Sequence, residues 1–306
     1  MQTVNRLDPL RNAIAAMRQD GLVALVPTMG ALHQGHLALV SEARARARHV
    51  VVSIFVNPRQ FGVNEDLNTY PRQLTSDETL LAQEGVSLLW APSAEDMYPA
   101  GYSTNINVGG ISEGLCGAAR PGHFDGVATV VCKLFNQVSP DIALFGEKDW
   151  QQLAVIRHLA RDLDLTHPAA NAIIGVPTVR EADGLALSSR NAYLSAEQRA
   201  QAAALPRAIR SAIAGIRSGK DYPSALAELR EQLLGGGFSA LDYAEIRDAD
   251  SLAPLSHAGQ GTPRLFVAAR IGRTNTSTMR PMNRRSPRIS GIICPRSYQT
   301  VRGEGN

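Results

Sequence analysis

At 306 residues, with 44% hydrophobic and 19% charged side chains, the chain has the composition of an ordinary globular protein and the length for one large domain plus a smaller one. The formal net charge is only +3, and arginines beyond Arg270 supply much of the excess, so the body is near neutral and a basic duplex-binding surface is excluded. No run of about eighteen apolar residues argues for a membrane span, and no basic-then-apolar start argues for a signal peptide.

In chain order, residues 22–27 form a short apolar run ended by proline, and 50–57 a β-branched run ended by Asn-Pro. Residues 86–91, 141–146 and 172–176 are runs of the same kind. Helical periodicity fills the gaps, at 35–48, 75–84, 126–138 and 149–162. Continuous apolar strands alternating with helices predict a doubly wound, Rossmann-like parallel sheet covered on both faces, with its ligand beyond the C-terminal strand ends. We assign this N-terminal α/β domain to residues 1–178.

Beyond it the pattern changes. One long helix is expected over 195–218 with Ser195 as N-cap, and another over 223–234, stopped by Gly235-Gly236-Gly237. Strands are expected at 241–247 and 264–271, which makes 179–274 a smaller α+β lid domain. Residues 275–306 lose hydrophobic periodicity, turn basic and polar, and are expected to be disordered or only loosely packed. Cys116, Cys132 and Cys294 are scattered and lack CxxC spacing, so they read as reduced thiols of a cytoplasmic protein.

Four stretches carry chemistry. The first, Pro27-Thr28-Met29-Gly30-Ala31-Leu32-His33-Gln34-Gly35-His36, follows the first long apolar run. Gly30 permits close backbone approach, and Gly35 opens a helix whose free N–H groups suit phosphate. His33 and His36, three apart, share a helical face and can donate to phosphate oxygens as charge builds in a transition state. The same pair also fits half a zinc site, although no second Cys/His pair has ligand spacing, or two surface histidines.

The second stretch, Phe145-Gly146-Glu147-Lys148-Asp149-Trp150-Gln151-Gln152, is another strand-to-helix junction. Lys148 is a point charge for phosphate, Asp149 a helix cap or a ligand to ribose or metal, and Gln152 lies on the same side. A capped, solvated strand end reads equally well. The third, Arg180-Glu181-Ala182-Asp183-Gly184-Leu185-Ala186-Leu187-Ser188-Ser189-Arg190-Asn191, offers two hydroxyls and a guanidinium fork at the domain border, or a solvated glycine turn. The fourth, Asn57-Pro58-Arg59-Gln60-Phe61, ends a strand with an amide and a ring that a plain loop would also tolerate.

Together, and in this order, the four stretches resemble the pantothenate synthetase family of the HxGH nucleotidylyl-transfer superfamily. Further matching stretches are Glu65-Asp66-Leu67 with Tyr70-Pro71-Arg72, Met97-Tyr98-Pro99, Gly122-His123-Phe124-Asp125-Gly126-Val127 and Ala269-Arg270-Ile271-Gly272-Arg273-Thr274. The resemblance runs from an N-terminal helix to about Thr274. It implies ATP-dependent condensation of (R)-pantoate with β-alanine to pantothenate, AMP and pyrophosphate through a pantoyl adenylate. It also implies Mg2+ carried mainly by the ATP phosphates, no nucleic-acid or membrane partner, and a homodimer.

The resemblance further implies roles for residues. His33, His36, Lys148, Ser188, Ser189 and Arg190 would surround the phosphates. Pro27, Thr28, Met29, Gly146, Asp149, Pro177, Thr178, Val179 and Leu187 would complete the ATP site. Gln60 and Gln152 would hold pantoate's hydroxyls and carboxylate, with Met29, Phe61, Val130 and Val131 around its dimethyl group. The chain departs from the family pattern at Arg59, Asn68 and Leu187, and in the composition of 275–306, which a frameshift or an added extension would each explain. Two other readings compete: nucleotidyl transfer onto a phosphorylated acceptor, and an RNA-binding module using the basic tail. The low aromatic content, 5%, speaks against the second.

Overall fold

The computed structural model describes residues 1–62, 65–272 and 274–282. A six-stranded sheet is built from β1 (Gln2–Val4), β2 (Val23–Thr28), β3 (His49–Ile54), β4 (Leu88–Trp90), β5 (Ile142–Gly146) and β6 (Ile173–Val176). Its order is β1-β4-β3-β2-β5-β6, and every pairing is parallel. The helices on or beside it are α1 (Leu7–Arg18), α2 (Gln34–Arg44), α3 (Leu74–Gln83), α4 (Ala94–Met97), α5 (Cys116–Ala119), α6 (His123–Val138) and α7 (Trp150–Asp162).

The continuous apolar runs are explained by burial on both sides. In β2, Val23 and Leu25 join a core shared with α1, α6 and α7, while Ala24 and Val26 join a second core shared with α2 and α3. All four side chains are 0% exposed, so neither strand face has room for a polar residue. From β2 the chain winds outward through β3 to β4 on one side, and β5 and β6 lie on the other. The reversal falls between β2 and β5, whose C-terminal loops flank a crevice suited to a ligand.

After β6 come α8 (Ala196–Ala202), α9 (Ala204–Arg217), α10 (Tyr222–Gly235) and an antiparallel sheet of β7 (Ala240–Asp248), β8 (Pro263–Ile271) and β9 (Thr274–Pro281), in that order. Strand β8 is buried on both faces. Leu265, Val267, Ala269 and Ile271 pack with α9 and α10, whereas Phe266 and Ala268 join the core of the larger unit. This alternation seats the second unit on the first.

Two expectations need correction. The single helix expected over 195–218 is two, because Pro206 in the first turn of α9 has no N–H to donate to the carbonyl of Ala202. Ser195 does cap α8, in a reciprocal box with Gln198. The loose packing expected from residue 275 does not hold for 275–282, since Thr274–Pro281 pairs along β8 and Met282 is buried in the core of the second unit. Strand pairing satisfies backbone N–H and C=O groups, so it forms here without apolar periodicity. Residues 283–306 lie outside the described residues, as does Cys294. Strand β1 and the single-turn helices α4 and α5 are too short for periodicity to mark.

Candidate active site

The turn after β2 is shaped by its own side chains. Thr28 Oγ donates to the carbonyl of Ser53 at 2.8 Å and accepts from the Gly30 amide at 3.2 Å. His33 is the N-cap of α2, its Nδ1 accepting from the Gly35 amide at 3.1 Å, while His36 Nδ1 accepts from the His33 amide at 3.4 Å. The rings lie 4.2 Å apart. A Cβ at position 35 would come within 2.8 Å of the His33 ring, so this cap requires glycine. Of the N–H groups at the start of this helix, expected to suit phosphate, that of Gly35 is held by the imidazole.

Because both Nδ1 atoms accept, the neutral rings carry their protons on Nε2, leaving two donors. Burial, followed by the charge of Lys148, pulls the His33 pKa down to about 4. Burial, then His33, then Lys148, lowers that of His36 well below the usual imidazole value. In the free cleft both are neutral near pH 7, and because each Nδ1 is held by a backbone amide, a bound anion meets their Nε2–H donors.

The turn after β5 faces this one. Lys148 Nζ lies 3.7 Å from Asp149 Oδ2. Asp149 occupies the N-cap position of α7, but its side chain makes no capping bond, so its carboxylate is available for other ligands. The neighbouring glutamines divide the work. Gln152 lines the cleft, whereas Gln151 is fully buried, accepting from the Cys116 amide and donating to the carbonyls of Ile111 and Gly114.

Part of the cleft lining is apolar. Val127, Val130 and Val131 of α6 form its wall with Phe124. Gln60 donates to Met29 Sδ at 3.0 Å and accepts from Asn57 Nδ2 at 3.1 Å. Asn57 in turn donates to the carbonyl of Gly126 and accepts from the Tyr98 hydroxyl. The Gln60 carbonyl is held by His123 Nδ1 at 2.8 Å and by Arg120, which is paired with Glu65 through both Nε and Nη2.

A third wall comes from the segment after β6. Ser188 caps the turn Ser189–Tyr193, and Arg190 makes a two-point ion pair with Asp66, Nε to Oδ2 at 3.0 Å and Nη2 to Oδ1 at 3.2 Å. The guanidinium also lies over the Tyr70 ring, and the Tyr70 hydroxyl is 3.3 Å from Ser189 Oγ.

Every candidate residue but one lines this single cleft: Pro27, Thr28, Met29, His33, His36, Gln60, Val130, Val131, Gly146, Lys148, Asp149, Gln152, Pro177, Thr178, Val179, Leu187, Ser188, Ser189 and Arg190. The exception is Phe61, which sits behind the lining, edge-on to Tyr70 at 5.9 Å. Among the described residues no cluster of three or more metal-ligating side chains occurs, so the zinc half-site reading of His33 and His36 finds no further ligands. Of the departures, Leu187 is in the cleft and Asn68 is exposed. Arg59 lies over the rings of Tyr98 and Tyr102 and donates to Asn105. Asn57, Asp66, Tyr70, Arg120 and His123 build the site although sequence reasoning gives them no role, because each acts through a partner distant in sequence.

The family model for pantoate-beta-alanine ligase matches residues 2–276. The chain belongs to the pantoate-beta-alanine ligase family. It is 64% identical over 273 residues to the pantothenate synthetase of Novosphingobium aromaticivorans, covering 89% of this chain and 96% of the relative. Among solved structures it is similar to the pantothenate synthetase of Thermus thermophilus, with a TM-score of 0.85 and 47% identity over 91% of this chain and 98% of that one. The pantoate-beta-alanine ligase of Francisella tularensis, complexed with beta-gamma ATP and beta-alanine, superposes with a TM-score of 0.78 at 33% identity, covering 92% and 98% of the two chains. The chain is accordingly an ATP-using carbon–nitrogen ligase of pantothenate biosynthesis, as the sequence resemblance implied. Its membership disfavours both the nucleotidyltransferase and the RNA-module readings.

Proposed function

We propose that this ligase works in two steps within the one cleft, with the residue roles expected from sequence. A carboxylate oxygen of (R)-pantoate attacks the α-phosphorus of ATP, the bond to the bridging oxygen breaks, and pyrophosphate leaves. The amine nitrogen of β-alanine then attacks the acyl carbon of the pantoyl adenylate. The C–O bond to AMP breaks, and the nitrogen gives up its proton to solvent. A carboxylate is already ionised near neutral pH, so the first step needs neutralisation of repelling anions more than it needs a base.

The observation carrying this reading is the arrangement of two chemistries along one crevice. His33, His36, Lys148 and the Ser188–Arg190 segment supply donors and positive charge to this lining, and Gln60, Gln152 and the α6 valines supply an amide-edged apolar part of it. Met29 also lines the cleft, in contact with Gln60. The Thr178 hydroxyl, buried in the cleft wall beside Pro177 and Val179, has no hydrogen-bond partner among the described residues and suits a nucleoside ligand.

Mg2+ fits as a companion of the nucleotide: among the described residues there is no protein-only cage, Asp149 can contribute an oxygen, and the ion would supply charge neutralisation of the triphosphate. Residues 1–178 act as the nucleotide- and acid-binding domain in this reading, and the unit from 179 acts as a lid that keeps water from the adenylate. The reading includes a cytoplasmic homodimer, and sedimentation of the purified protein would check the dimer. Among the described residues no helix is long and apolar enough to cross a membrane.

The two steps separate experimentally. Enzyme, MgATP and (R)-pantoate, rapidly quenched, should yield about one pyrophosphate and one acyl adenylate per site, and added β-alanine should discharge the adenylate to AMP and amide. A stable free adenylated product that ignores β-alanine would overturn the reading.

A further inference from the structure

The turn that presents the two histidines is held by a residue outside the cleft. Asp77, in the first turn of α3, is fully buried. Its Oδ2 accepts from the Ala31 amide and its Oδ1 from the Leu32 amide, both at 2.9 Å, across 46 and 45 residues of sequence. Together with Thr28, His36 and His33, this means that the amides of Gly30, Ala31, Leu32, His33 and Gly35 are all held by side-chain acceptors. None of these bonds belongs to a helix or strand ladder. The path of the turn is therefore specified by five acceptor atoms, and Asp77 supplies two of them.

The turn needs holding. Gly30 has φ 82° and Ala31 has φ 51°, so an alanine sits in left-handed space, where its Cβ crowds the backbone. A Cβ at position 30 would lie 3.1 Å from Asp77 Oδ2, which adds a contact reason for glycine there. A buried carboxylate is itself costly, and what offsets the cost here is two charge-assisted bonds plus the N-terminal end of α3. A polar residue placed so makes physical sense if the conformation it enforces is worth having.

We propose that Asp77 is a positioning residue for the adenylation step, clamping the Ala31–Leu32 backbone so that His33 and His36 meet the phosphates in register. It touches no substrate and acts only through the turn. This inference rests on the phosphate-site reading given under Proposed function. Misplacement of catalytic groups by about 1 Å can cost on the order of 10²-fold in rate, and a released turn would move both imidazoles together.

The test compares wild type with Asp77→Asn, which keeps shape but puts an NH2 donor against a backbone N–H. Pantoate-dependent exchange of labelled pyrophosphate into ATP should fall at least about tenfold in kcat, with KM for pantoate within about twofold, in a variant whose circular dichroism matches wild type. In wild type, the Ala31 and Leu32 amide protons should exchange slowly and resonate at low field, a readout that does not depend on the variant folding. Unchanged kcat in folded Asp77→Asn would overturn the proposal, as would fast exchange of both wild-type amides, or a KM for pantoate that rises in proportion to the loss of rate. Wild-type exchange activity tests the phosphate-site reading by itself, so its failure and that of the clamp are separable.

Discussion

Two walls of the cleft are built on different principles. The turn between β2 and α2 is closed on itself: its amides are capped by its own histidines, by Thr28 and by a buried carboxylate, and its imidazoles stand neutral with Nε2–H donors in reserve. The opposite wall, around Ser188–Arg190, is held by an ion pair between Arg190 and Asp66, two segments 124 residues apart. The first wall has nothing to rearrange when phosphate arrives. In the second, the guanidinium expected at the phosphates is already engaged by a carboxylate, so nucleotide must share it or take it over. Pre-formed donors suit transition-state stabilisation, while exchangeable ion pairs suit closure.

The largest effect should come from removing charge beside the pre-formed wall. Lys148→Ala is expected to lower kcat by about 10²–10³-fold, the usual consequence of losing one well-placed donor, with the fold intact. His33→Ala should lose a similar factor and also about 1 kcal/mol of stability, because the ring is a helix cap as well as a donor. Steady-state kinetics and denaturant melts on the two variants would separate these contributions. If His33→Ala kept full activity, the wall would be scaffold alone.

A smaller effect is expected at the other wall. Asp66→Asn weakens the competing ion pair without touching the pre-formed turn, so KM for ATP should fall severalfold while kcat stays within about threefold. A collapse of kcat comparable to that of Lys148→Ala would show the two walls to be one rigid unit, and the contrast between them would fail.

The smallest effect concerns pH. The pKa of His33 is lowered in the folded enzyme from its ordinary 6.5 to about 4, and that of His36 falls in the same direction. Between those values the unfolded chain binds protons that the folded one does not, so stability is full above pH 6.5 and declines as pH falls towards 4. Denaturant melts across this window should show a shallower slope in His33→Ala than in wild type. Equal slopes in the two would mean that the rings are not neutral in the free cleft.

Much of this is legible in the sequence because the larger unit follows local rules. Strands β2, β3 and β5 read as strands since both faces are buried and proline or glycine ends each run. The motif residues at the ends of β2 and β5 can be placed in one crevice because the topology brings those two ends together. What escapes is tertiary. Asp66, Asp77, Arg120 and His123 are ordinary helix or loop residues by any local criterion, and their meaning lies in partners some 45 to 124 positions away. Phe61 is not among the cleft-lining residues but packs edge-on against Tyr70, which is, and adjacency to Gln60 does not fix which way a loop side chain turns. Strand β9 escapes because its backbone pairing with β8 leaves no apolar periodicity in the sequence to read.

The central claim is that acid activation by ATP happens in the β2–β5 crevice before any amine is needed. Isotope exchange between labelled pyrophosphate and ATP tests it most directly, run with wild type and Lys148→Ala, with and without (R)-pantoate, and with β-alanine omitted. The account predicts exchange in wild type only when pantoate is present, and little or none in Lys148→Ala. Exchange without pantoate, or exchange undiminished in Lys148→Ala, would contradict it.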